Sequence, residues 1–216
     1  MIITLCMSSP ISFAEGIESL NIVYQHSRVK QSRPRHMDVI SHWLWGMVLT
    51  RGKMSWKVSG PMGVLPDLVA FIPSAIYGLI YSIKPVQVDE NTVTSDLPIA
   101  WSIYQWSHSL TIVVILFLAA WYILKAKNHE NPKYMACVFV VPWFFHILLD
   151  IPGHTINFFP TPFLYPFSDF MIDGARWSEW WFFWPQAILL GAVWWYILKK
   201  EKTHSIEEIA DTAALA

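Results

Sequence analysis

Four apolar runs, at 68–83, 110–124, 134–149 and 181–198, restrict this chain more than any other feature. Each is long enough to form an apolar helix. Backbone polar groups that enter lipid must be satisfied within their own segment, which leaves helices as the natural solution for runs of this kind. Only 14% of the residues are charged, against about 25% in soluble domains, and 54% are hydrophobic. The expected fold class is therefore all-α, a multispan helical membrane bundle.

The third run closes on Phe145-His146-Ile147-Leu148-Leu149-Asp150-Ile151-Pro152-Gly153-His154. His146 and Asp150 are four residues apart, so on a helix both side chains leave the same face, one turn from each other. Pro152 and Gly153 are expected to end the helix and turn the chain, swinging His154 back over the same spot. A neutral imidazole stacked with a carboxylate is a common half-site for zinc or another divalent first-row metal. The plainer alternative makes each an interfacial residue or a cap. Against it, two ionisable groups on one face of a membrane-length segment are costly and call for a shared partner.

Residues 1–36 are polar and irregular and end in the basic run Arg28-Val29-Lys30-Gln31-Ser32-Arg33-Pro34-Arg35. They read as a disordered N-terminal extension, and His26 and His36 are discounted as ligands. A signal peptide fits poorly, because no basic segment precedes the short apolar start. Met37 would serve as an alternative start. The patterned domain is 37–198, followed by a polar tail at 199–216. Within the domain, Asp38 is expected to cap a helix over 39–49 that carries His42. Arg51, Lys53 and Lys57 form a basic link. The stretch Gly60-Pro61-Met62-Gly63-Val64-Leu65-Pro66-Asp67 predicts a broken segment that rises from Gly60 and reverses at Pro66-Asp67. A polar loop at 84–98, one or two helical turns over 101–107 and a Pro- and aromatic-rich loop at 151–180 complete the pattern.

Orientation follows from lysine and arginine. Lys125, Lys127 and Lys133 mark one loop as cytoplasmic, and Lys199, Lys200 and Lys202 mark the tail. His108, His146, Asp150 and His154 then fall at the outer ends of their spans, and His42 joins them if the first helix runs inward. The candidate metal ligands are His42, Asp67, His108, His146, Asp150 and His154, a His/Asp site between helices near one membrane face. Imidazole with carboxylate favours zinc, with manganese or iron as alternatives, and no thiolate is required. Cys6 and Cys137 form no spacing motif. A net charge of −1 argues against a nucleic-acid surface. On the outer loop, Arg176 suits a phosphate, although such a charge is more often a solvated loop residue or part of a surface ion pair. Trp177, Trp180, Trp181 and Trp184 read as an interfacial belt.

Five motifs occur in order: Ser41-His42 with Gly46, Gly63-Val64-Leu65-Pro66-Asp67, Ser107-His108-Ser109, His146-Ile147-Leu148-Leu149-Asp150, and Tyr165-Pro166-Phe167-Ser168-Asp169. Together they resemble the membrane-bound, metal-dependent hydrolase family, also described as LexA-binding, inner-membrane-associated hydrolases. The order of ligands is also similar to that of zinc-dependent phospholipase C and nucleases of the P1 type, where His154 would take the last place. One departure stands out: Ile103-Tyr104-Gln105 occupies the place of the family's His-Arg-Gly run. The resemblance implies a multi-pass protein of the inner (cytoplasmic) membrane, bathed in membrane lipid, that hydrolyses a lipid or phosphoester with a divalent metal. A metal-stabilised scaffold that binds a partner protein without turnover is the first alternative, and a small transporter the second.

Overall fold

The structure, a computed structural model, describes residues 37–82 and 92–214; the expected extension at 1–36 and most of the loop at 84–98 lie outside them. Six α-helices follow one another among the described residues: α1 Met37–Leu49, α2 Trp56–Ile80, α3 Pro98–Ser107, α4 Leu110–Ala126, α5 Pro132–Gly153 and α6 Trp180–Ala214. A 3-10 turn at Thr94–Asp96 precedes α3, and the described residues contain no β-strand. The all-α expectation holds. α2, α5 and the Trp180–Thr203 part of α6 are each long and apolar enough to cross a membrane. α3 and α4 reach that length together, bent by 56° at the break between them. Outward-facing apolar side chains fit a lipid surroundings, with Leu79 78%, Tyr122 75% and Ile188 67% exposed.

Local chemistry sets the boundaries. Pro98 and Pro132 open α3 and α5, where a missing N–H costs nothing. Ser109 breaks α3 from α4: its hydroxyl donates to the Trp106 carbonyl and accepts the Ile112 N–H, capping α4. α1 begins at Met37, so Asp38 lies inside the helix and not before it as a cap. α6 continues through the expected polar tail as far as Ala214.

The segment around Asp67 corrects the sequence reading. There is no reversal at Pro66-Asp67, and α2 runs unbroken through Pro61, Pro66 and Pro73. A proline costs a helix one hydrogen bond and some crowding, and close neighbours offset that where helices pack tightly. Here Gly46 of α1 and Gly63 of α2 let the two backbones touch; a methyl group on Gly63 would run into the His42 carbonyl. Asp67 therefore sits within a span, on a helix face turned towards α3 and α5.

Two apolar cores hold the bundle. Met62, Val113, Val140, Trp143 and Ile147 pack α2, α4 and α5 together. Ala70, Ala100, Tyr104 and Phe159 join α2 and α3 to the loop after α5. The basic residues gather at the other end of α5: Lys53 lies 6.0 Å from the Tyr134 ring, and Arg51 pairs with Glu201 of α6.

Candidate metal centre

All six residues singled out from the sequence meet in one place. Asp67, His108, His146 and Asp150 each present a ligand atom, and these atoms lie within 4.8 Å of one another. His108 Nε2 is 3.0 Å from His146 Nε2, 3.2 Å from Asp150 Oδ2 and 3.4 Å from Asp67 Oδ1. His146 Nε2 is 3.1 Å from Asp150 Oδ2 and 3.7 Å from Asp67 Oδ1. The remaining two residues flank the other carboxylate oxygen. His42 Nε2 lies 3.1 Å, and His154 Nε2 3.7 Å, from Asp150 Oδ1. The expected half-site on α5 and the return of His154 after Pro152-Gly153 are both present.

Outer partners fix which nitrogen of each ring points inward. His146 Nδ1 lies 2.7 Å from the Gly63 carbonyl, which can only accept, so the proton sits on Nδ1 and Nε2 offers its lone pair to the centre. His154 Nδ1 donates in the same way to the Phe159 carbonyl at 2.8 Å. His108 Nδ1 lies 2.9 Å from Ser107 Oγ, a hydroxyl that can give or take a proton, and that hydroxyl is 3.4 Å from the Tyr104 carbonyl. Ring packing adds rigidity. Tyr104 stacks on His108 with centroids 3.5 Å apart, and His42 lies against His146 at 3.8 Å. Trp143 donates its indole N–H to the Ser107 carbonyl, tying α5 to the end of α3.

His146 Nε2 turns a lone pair towards His108 Nε2 at 3.0 Å with carboxylates nearby, a setting that a proton on His108 or a cation between the rings satisfies. Four donors around a tetrahedral ion at about 2.0–2.1 Å stand about 3.3 Å apart, because a tetrahedron's edge is about 1.6 times its centre-to-corner distance. The five separations above, from 3.0 to 3.7 Å, straddle that value. The donor set therefore fits a divalent cation. His108, His146 and Asp150 are buried, while the Asp67 side chain keeps 17% exposure and that of His154 10%, so access runs past those two.

The outer loop is fastened to the end of α5. Gly174, Ala175 and Trp177 donate backbone N–H groups to the carbonyls of His154, Pro152 and Gly153, each at 2.9 Å. A Cβ on Gly174 would strike Pro152 and His154, so only glycine permits that approach. Asp173 accepts the Ile156 N–H, a structural role. Sequence reasoning named the residues that converge but missed the groups that aim them. Ser107 was visible beside His108 only as part of a motif. Tyr104 stood out as a departure from the family pattern, and its place against His108 shows a packing role. Backbone carbonyls of Gly63 and Phe159 carry no sequence signal.

No protein-family model matches the chain, and no curated protein or solved structure is similar to it.

Proposed function

We propose that this is an integral membrane, metal-dependent hydrolase acting on a lipid-borne ester, with a phosphoester as the leading class. The observation that carries the reading is the convergence of His108, His146, Asp67 and Asp150, whose ligand atoms lie within 4.8 Å of one another inside a membrane bundle, with the His146 lone pair turned inward. Zinc suits this all-nitrogen-and-oxygen set best, with manganese or iron as the alternatives. A divalent ion there supplies Lewis-acid chemistry, activating water and polarising a phosphoryl or acyl oxygen.

The chain's own groups do the rest. Gly63 and Phe159 hold the His146 and His154 rings in register through their Nδ1 protons, and Ser107 holds His108 through a hydrogen bond to Nδ1. Asp67 is the carboxylate with an exposed edge, so it is placed to take a proton from water as an ester arrives. Its neighbours on α2, Leu68 and Val69, are exposed apolar residues, which favours a substrate presented from lipid. The gathering of Arg51, Lys53, Lys133 and Lys199 away from the site supports the cytoplasmic assignment of that end and, with the motif resemblance, an inner-membrane location.

A metal-stabilised scaffold without turnover is the second reading. It is favoured by the closure of the four-residue set, since structural metal sites fill every position and catalytic ones keep a vacancy. Hydrolysis assays on detergent-purified protein separate the two, using a panel of phospholipid and chromogenic phosphoesters with His108→Ala as control. Turnover that falls at least 100-fold in His108→Ala supports the enzyme. Equal rates in both proteins, or none in either, leave the scaffold.

A further inference from the structure

At the basic end of the bundle, a cavity of about 330 Å³ lies between the α1–α2 link and α6. That volume is at the lower end of the range for small-ligand pockets. Arg51 and Glu201 line it, with Ser55, the N-cap of α2, and Ser59 one turn further on. Met47 and Met54 add adaptable apolar wall. Ser59 is 1% exposed, and its hydroxyl meets no hydrogen-bond partner among the described residues. A helical serine can bond the carbonyl four residues back, and this one does not. A buried hydroxyl left open is costly, so one at a cavity wall marks a place for a ligand oxygen.

The charged pair beside Ser59 has capacity to spare. Glu201 accepts from Nε and Nη2 of Arg51 at 2.6 Å, which leaves the two N–H groups of Nη1 for another acceptor. Each Glu201 oxygen keeps a lone pair, and the Trp194 ring backs the guanidinium at 5.1 Å. The lining charges balance, one of each sign. Lys53 and Lys57 lie over the rings of Tyr134 and Trp56 instead. A bare phosphate on Arg51 would also meet the Glu201 carboxylate as a like charge. A head group that carries both a phosphate and an ammonium matches both walls. The location suits a lipid: Trp56, Tyr134 and Trp195, each beneath a lysine, form an aromatic belt of the kind found at membrane–water interfaces. α6 is also thinly packed, with 11% of its apolar span buried, so a lipid wedged beside Glu201 has a gap to fill.

We infer that this cavity binds the phosphoethanolamine head of a membrane phospholipid, its phosphate on Arg51 Nη1 and the Ser59 hydroxyl and its ammonium on Glu201. The bound lipid fastens α6 to the α1–α2 link. Without lipid, Arg51 and Glu201 close on each other. Neither the metal nor turnover enters into this role, which lies at the other end of the bundle.

Native mass spectrometry of delipidated protein in detergent supplies the test, with phosphatidylethanolamine, phosphatidylglycerol and glycerophosphoethanolamine as probes. Wild type should bind one phosphatidylethanolamine about 10-fold more tightly than phosphatidylglycerol, the scale of one charge-assisted hydrogen bond. Glu201→Gln should abolish that preference, and Ser59→Ala should weaken both lipids. Equal or tighter binding of phosphatidylglycerol by wild type overturns the assignment, as does a preference that survives in Glu201→Gln. Glycerophosphoethanolamine, the same head without acyl chains, should bind about 100-fold more weakly. Equal binding of that soluble head overturns the lipid as its source, and no binding of either lipid overturns the site. The comparison of lipids on wild type stands whether or not the variants fold.

Discussion

On the side where Lys53 lies over Tyr134, Arg51 and Glu201 form an exposed pair in which Nε and a terminal nitrogen donate to the two carboxylate oxygens at 2.6 Å. At the opposite end of α5, sixteen residues or about 24 Å of helix away, three imidazoles and two carboxylates meet, and His146 and His154 each turn a lone pair inward. The first arrangement is complete in itself. Water shares its solvation, and its loss would change little. The second brings together groups that could hold a cation. Burial makes the difference: in lipid or protein interior an unpaired charge is costly, so a group retained there without a donor marks a missing partner. Counting ion pairs would have made the site end the better paired of the two, whereas assigning the protons of His146 and His154 shows lone pairs turned inward there.

That contrast can be broken at several points. The largest effect should come from removing metal. Stripping the ions with a chelator leaves the acceptor cluster unneutralised, and at free metal about 1,000 times Kd the stability difference is about 4 kcal/mol. Thermal unfolding in detergent should show a drop of many degrees, reversed by adding zinc. An unchanged melting temperature would mean that protons already satisfy the cluster. A smaller effect is expected from Ser107→Ala, which removes the hydrogen-bond partner of His108 Nδ1 while leaving every candidate ligand in place. Metal affinity should weaken by about 10- to 100-fold, as for other partners of metal-bound histidines. Titration against a fluorescent zinc competitor reads this, and unaltered affinity would show that the hydroxyl does not set the tautomer. The smallest effect should follow Arg51→Ala. Melting temperature and metal content should both stay within error of wild type, and a marked loss of either would mean that the basic end is coupled to the centre.

Much of the site was legible before any coordinates. Charged residues inside apolar helices are conspicuous, and the spacing of His146 and Asp150 places both on one face. Pro152-Gly153 announced the turn that returns His154. The helices were legible for the same reason, as apolar length alone demands them. What resisted was the path around Asp67. Two prolines and two glycines read as a break, but the glycines serve helix packing, and α1 pressed against α2 keeps the helix continuous. The aiming groups resisted more firmly. The carbonyls of Gly63 and Phe159 become partners only when separate segments come together, and the positive φ of Phe159 is a product of its burial. Local pattern shows which residues are expensive to bury, while the fold determines which way their protons point.

The account's central claim is that a cation occupies the space where His108, His146, Asp67 and Asp150 converge. Elemental analysis of detergent-purified protein, with Asp150→Ala prepared in parallel, tests it most directly. The expected result is at least one equivalent of a divalent first-row metal, zinc foremost, in the wild type and almost none in Asp150→Ala. Metal-free wild-type protein that stays folded and takes up no added zinc would contradict it.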